Sequence, residues 1–169
     1  MTTANRIVVT TATAARTRTL GRRVARLLRP GDVLLLQGPL GAGKTTFAQG
    51  LGVGLGIEGP VRSPTFVLLA RHDAGTGSMP LSHADLYRLD DPAQVEELAL
   101  EEQAADGVLL VEWPERGLQA LPPSHLLVVF ELPADGGSAT TRRITFVAAG
   151  ERYQRVLDGM QAAGLGARA

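Results

Sequence analysis

Gly38-Pro39-Leu40-Gly41-Ala42-Gly43-Lys44-Thr45-Thr46 follows the apolar run Val33-Leu34-Leu35-Leu36, with Gln37 between them. An apolar strand, a loop of the form G-x-x-x-x-G-K-[ST] and a helix opening at the lysine give a phosphate-binding loop in the context it requires. The spacing has a chemical reason. Gly38, Gly41 and Gly43 carry no Cβ, so the backbone can turn tightly and aim N–H groups at a phosphate chain. Residues Gly38, Gly41, Ala42, Gly43, Lys44, Thr45 and Thr46 are the expected phosphate-binding set, and the helix start adds its positive dipole end. Lys44 can reach the β and γ phosphates, and the Thr45 hydroxyl can ligate Mg²⁺. Lys44 is also the only lysine, against sixteen arginines. A compact, flexible ammonium suits phosphates here better than a planar guanidinium.

Composition narrows the remaining classes. A chain of 169 residues is read as one domain with a sizeable core, loose at residues 1–5 and 164–169. Formal net charge is zero and aromatics make up 4%, which leaves little for an electrostatic nucleic-acid footprint or for base stacking. Cysteine is absent, so disulfides and thiolate metal sites are excluded. No apolar run approaches a membrane span, and the expected compartment is the cytoplasm. The acid-free, Arg-rich start resembles an organelle transit peptide, but it reads better as folded structure.

In chain order, Ile7-Val8-Val9 predicts a short strand. Residues 16–29 predict a helix with Leu20, Val24, Leu27 and Leu28 on one stripe and arginines around the rest. That basic face is either solvated or a docking face for RNA or an acidic partner. A strand over 32–37 leads into the loop. The helix from Lys44 carries Gly50, Gly52, Gly54 and Gly56, which predict a short or frayed element. Residues 63–69 predict a turn running into a strand, Asp73–Pro80 a loop and Leu81–Asp85 another strand. Asp91-Pro92 opens a helix over 93–105, and Val108–Val111 is a buried strand. Leu126–Leu132 and Arg143–Ala148 predict a hairpin around Ala134–Ser138, followed by a short amphipathic helix. This alternation predicts an α/β fold: a three-layer P-loop NTPase-like domain with a mixed, mainly parallel sheet and a C-terminal antiparallel hairpin.

A phosphate loop that works on a nucleotide needs an acid near Mg²⁺ or its water, usually at the end of a neighbouring strand. Glu112, after four apolar residues, and Asp85, at the end of a weaker strand, both qualify. Each could equally be a capping or solvated carboxylate. Thr65, after Ser63-Pro64, could sense the γ phosphate or could satisfy local backbone.

The loop, then Ser63-Pro64-Thr65-Phe66, then His83-x-Asp85-Leu86-Tyr87-Arg88-Leu89, then Val111-Glu112-Trp113-Pro114-Glu115 resemble the TsaE family over roughly residues 6–150. That family comprises the P-loop ATPases of bacterial tRNA threonylcarbamoyladenosine biosynthesis. The resemblance implies ATP and Mg²⁺ as ligands, TsaB and TsaD as partners, and tRNA as an indirect one. It implies that Thr45 and Glu112 hold Mg²⁺, that Asp85 and Lys44 serve hydrolysis, and that Ser63–Phe66 is a switch-like loop. Thr17 and Arg143 match adenine-side positions. Pro39 departs from the acidic residue that many members carry there, at a variable position of the loop.

Other classes stay open. A small-molecule kinase is the alternative, although the Asp73–Pro80 loop offers no arginine-rich lid. A GTPase would commonly use N-K-x-D, and the sole asparagine, Asn5, and the sole lysine, Lys44, cannot supply it. An adaptor that only retained the fold would be expected to lose the Lys44, Thr45 and carboxylate set.

Overall fold

Strands β2 (Val33–Gln37) and β5 (Val108–Glu112) are apolar at nearly every position, and both are buried on both faces. Such strands belong at the centre of a covered parallel sheet. They pair in parallel there, with Leu36 opposite Glu112. β4 (Leu81–Asp85) lies parallel to β5 on one side, and β6 (His125–Glu131) lies parallel to β2 on the other. Antiparallel strands extend both flanks: β3 (Leu69–His72) pairs with β4, β7 (Arg142–Ala149) with β6, and β1 (Arg6–Thr11) with β7. With β8 (Ala167–Arg168), the order across the sheet is β3-β4-β5-β2-β6-β7-β1-β8. The computed structural model describes residues 5–66, 68–76, 78–134 and 137–169. Residues 1–4 of the start expected to be loose over 1–5, Val67 in the expected turn and strand 63–69, Gly77 of the expected loop and Asp135-Gly136 of the expected turn lie outside them.

Alternation divides the core into two layers around the sheet. Leu34, Leu36, Leu110, Val128, Ile144 and Phe146 pack with helices α1 (Ala14–Ala25), α2 (Lys44–Leu55) and α5 (Glu151–Ala162). Val33, Leu35, Leu109 and Val111 pack on the other face with Val95 of α3 (Pro92–Glu97) and Leu100 of α4 (Leu100–Gln103). The result is the expected three-layer α/β arrangement. Parallel pairing is confined to the central four strands.

Several boundaries differ from expectation for identifiable reasons. α2 is a full helix of twelve residues rather than a frayed one. Its glycines serve contact rather than flexibility: a Cβ on Gly50 would lie 1.9 Å from the Arg18 carbonyl oxygen of α1. The expected helix 93–105 is broken at Ala99, whose φ of 48° is left-handed, giving α3 and α4. The strand expected within 63–69 begins only at Leu69 and runs to His72. Residues 164–169, expected to fray, bury Leu165 and pair Ala167 and Arg168 with β1.

Candidate nucleotide-binding site

β2 ends at Gln37, and the loop that follows lies at the carboxyl edge of the parallel strands, where open α/β sheets form their ligand crevice. Gly41 and Gly43 adopt φ of 77° and 101°, left-handed values that strain any residue with a Cβ. Gly43 is the N-cap of α2, so the first N–H groups of that helix open onto the loop. Gly38, expected in the phosphate-binding set, does not line the cavity and has a different task. It passes so close to β6 that a Cβ there would sit 2.7 Å from the Phe130 carbonyl oxygen.

A cavity of about 380 Å³ spreads over this loop. One end is lined by Lys44, Thr45, Ser63, Thr65, Asp85, Glu112 and Trp113, and the other by Ala14, Thr17, Thr140 and Arg142. Gly41, Ala42, Gly43 and Thr46 also line the cavity. Asp85 and Glu112 stand opposite each other at the ends of β4 and β5, both buried. The Lys44 ammonium donates to the Gly38 carbonyl and, at 3.1 Å, to the Pro39 carbonyl, and lies 4.3 Å from the Trp113 ring centroid. Burial lowers its pKa from the ordinary 10.5, while Glu112, Glu115 and Asp85 pull the other way. Trp113 holds its ring there from a left-handed backbone, φ 57°, where an indole-bearing residue is strained.

The segment after Arg62 is tied to Asp85. Ser63 Oγ donates to Asp85 Oδ2 at 2.7 Å, Thr65 Oγ1 donates to the same oxygen at 3.4 Å, and the Tyr87 N–H donates to Oδ1 at 2.9 Å. Phe66 is 82% exposed, with the Arg88 guanidinium 4.4 Å over its ring. Arg62 and Arg88 do not line the cavity, and its cationic side chains among the described residues are Lys44 and Arg142.

On the far side the geometry redistributes two expectations. Thr17 lines the cavity, but its hydroxyl is engaged with Thr11 Oγ1 at 2.7 Å and the Thr13 carbonyl at 3.3 Å, so its methyl faces the loop at Gly43. Arg143 points away: it is 62% exposed and pairs with Glu131 at 3.7 Å. Arg142 occupies the site instead, donating to the Gly41 carbonyl at 3.0 Å. Strand parity explains the exchange. Arg142 shares its face of β7 with Ile144 and Phe146, which pack toward α1 and α2, and Arg143 falls on the opposite face.

The residues fit a nucleotide with Mg²⁺. The loop sets the start of α2 beside a lysine, and Arg142 Nε is a buried donor without an acceptor near Gly43. No cluster of three or more His, Cys, Asp or Glu among the described residues could cage a metal. Mg²⁺ is commonly held by one or two protein oxygens together with substrate phosphates. Thr45 and Glu112, the pair expected to hold the cation, both line the cavity.

A mixed sheet carrying such a loop at the carboxyl edge of its central strand defines a P-loop NTPase-like protein. Within that class the chain belongs to the TsaE family. The family model described as threonylcarbamoyl adenosine biosynthesis protein TsaE matches residues 11–144. The tRNA threonylcarbamoyladenosine biosynthesis protein TsaE of Streptomyces coelicolor is 42% identical over 137 residues, covering 80% of this chain and 93% of that protein. The protein of the same name from Bacillus subtilis is 41% identical over 143 residues, covering 84% and 85%. The crystal structure of Bacillus subtilis YdiB matches with a TM-score of 0.77 and 32% identity, over 94% of this chain and 96% of that one.

Proposed function

We propose that this protein binds ATP with Mg²⁺ in the cavity above Gly41–Thr46 and hydrolyses it, as an accessory ATPase for installing threonylcarbamoyl on an adenosine beside the tRNA anticodon. The observation that carries the reading is the convergence of Lys44, Thr45, Asp85 and Glu112 on one cavity from the loop and two strand ends. The relatives' names, which place them in tRNA threonylcarbamoyladenosine biosynthesis, supply the pathway. TsaB and TsaD are the proposed partners, tRNA is met through their complex, and the cytoplasm is the proposed compartment. No helix among the described residues is long and apolar enough to cross a membrane.

The chain's own groups divide the work. N–H groups of Gly41–Thr46 and the Lys44 ammonium would bind the phosphates, and Thr45 and Glu112 would hold the cation. Mg²⁺ held there would supply neutralisation of the phosphate charge. Asp85 would position the attacking water, once Ser63 and Thr65 release the oxygen they occupy. Attack on the γ phosphorus breaks its bond to the β–γ bridging oxygen and yields ADP and phosphate.

Since Lys44 and Arg142 are the cations lining the cavity and Arg142 is engaged by carbonyls, turnover by the isolated chain should be slow. An arginine supplied by a partner is worth ~10³–10⁵ in related proteins. Phosphate release from saturating Mg²⁺-ATP, measured with and without the TsaB–TsaD pair, tests this. Clear stimulation supports the reading; equal rates remove the regulated-partner scheme. ATP-dependent phosphorylation of an added small molecule would favour a kinase instead.

A further inference from the structure

His83 lies two residues before Asp85 on the same face of β4, wholly buried, opposite Leu110 of β5. Its Nε2 is 3.0 Å from Glu112 Oε1, diagonally across the two strands. A carboxylate only accepts hydrogen bonds, so Nε2 carries the proton of this contact. Nδ1 is buried without a partner. A histidine kept only to satisfy the core would be expected to use both nitrogens. This one is spent on a single oxygen of a residue that lines the cavity.

We infer that His83 is a positioning residue: its Nε2–H fixes the Glu112 carboxylate so that the second oxygen is presented to a divalent cation. The inference rests on the proposal that Glu112 holds the cation, and extends it from the ligand to what orients the ligand. A buried carboxylate left without a hydrogen bond is costly, and His83 is the one side chain among the described residues that hydrogen-bonds to Glu112. Glu112 also sits within the field of the Lys44 ammonium, which is held instead by the Gly38 and Pro39 carbonyls. Tethering Glu112 through Oε1 keeps its carboxylate from swinging onto Lys44, leaving the lysine for phosphate and the free oxygen for the cation. Groups that orient a metal ligand from behind typically contribute ten- to hundredfold in metal affinity or activity.

The test is binding of Mn²⁺, a paramagnetic substitute for Mg²⁺, to the full chain with saturating ADP, followed by electron paramagnetic resonance. Wild type is compared with His83→Leu, His83→Gln, His83→Asn and Glu112→Gln, with ADP affinity measured separately in the absence of metal. The amide nitrogen of Gln reaches about as far as Nε2, and that of Asn only as far as Nδ1. The expected result is that Mn²⁺ affinity falls ~10-fold in His83→Leu and His83→Asn, returns to within ~3-fold of wild type in His83→Gln, and that metal-free ADP affinity stays constant. If His83→Leu does not fold, the Gln and Asn variants decide. Equal Mn²⁺ affinity in those two overturns the assignment, as does wild-type affinity in a folded His83→Leu protein. Unchanged Mn²⁺ affinity in Glu112→Gln would instead overturn the metal role of Glu112 on which the inference rests.

Discussion

Arg142 and Arg143 are adjacent, chemically identical and opposite in consequence. The Arg142 guanidinium donates to the Ala139 carbonyl at 2.7 Å, the Thr141 carbonyl at 2.8 Å and the Gly41 carbonyl at 3.0 Å. The first two brace its own hairpin, and the third ties β7 to the phosphate loop. Arg142→Ala removes that tie and a positive charge from the cavity wall. The Arg142 Nε is buried without an acceptor and is the donor left for a bound nucleotide; one hydrogen bond to a charged group is worth about 1.5–3 kcal/mol net, and a single contact belongs near the lower end. About 1.4 kcal/mol corresponds to tenfold in affinity, so Mg²⁺-ATP should bind roughly ten times more weakly. Arg143→Ala breaks an ion pair whose partners are 62% and 54% exposed, 3.7 Å apart. Such pairs contribute about 0–1 kcal/mol to stability and nothing at the site. Calorimetric titration of both variants with Mg²⁺-ATP measures the contrast. Weakened binding in Arg143→Ala, with Arg142→Ala near wild type, would refute the placement of Arg142 on the site face.

Gly50→Ala should destabilise the protein despite the better helix former. The Cβ meets backbone 1.9 Å away, an overpacking cost of about 3 kcal/mol against about 1 kcal/mol of gained propensity; urea unfolding showing a more stable variant would contradict the close α1–α2 contact. Trp113, the sole tryptophan, should change emission as phosphates draw Lys44 from its ring; a flat titration alongside calorimetric binding would contradict that contact. Lys44 gives a pH signature, because phosphate binding uses its protonated form. With its pKa lowered below 10.5, nucleotide affinity should begin to fall before that pH, by at most about tenfold per pH unit. The stability term has the opposite sign: between the lowered value and 10.5 the unfolded chain binds the extra proton, so this group's contribution rises with pH. A binding profile flat to pH 10.5 would mean that Lys44 does not meet the nucleotide.

Much of the site was legible because its chemistry is local. The loop spacing identifies Gly41–Thr46 without knowledge of the fold, and a run of apolar residues followed by Glu112 marks the end of a central strand. What was not legible depends on parity and close approach. Matching Arg143 to a family position took no account of the period of two that Ile144 and Phe146 set, a signal present in the sequence that puts Arg142 on the site face. Gly50 looked like a helix breaker because propensity carries no information about a neighbouring backbone. The break at Ala99 and the left-handed Trp113 had no local signature, since neither residue favours positive φ. The role inferred for His83 required the β4–β5 register, which places residues 29 positions apart within hydrogen-bond reach.

The central claim is that the cavity over Gly41–Thr46 binds ATP through Lys44. Calorimetric titration of Mg²⁺-ATP into the wild-type protein and Lys44→Ala tests it most directly. Loss of the ammonium removes charge-assisted contacts worth about 1.5–3 kcal/mol, so the variant should bind about ten- to hundredfold more weakly, with an unchanged melting profile to show that it is folded. Equal affinity in the two proteins would contradict the account.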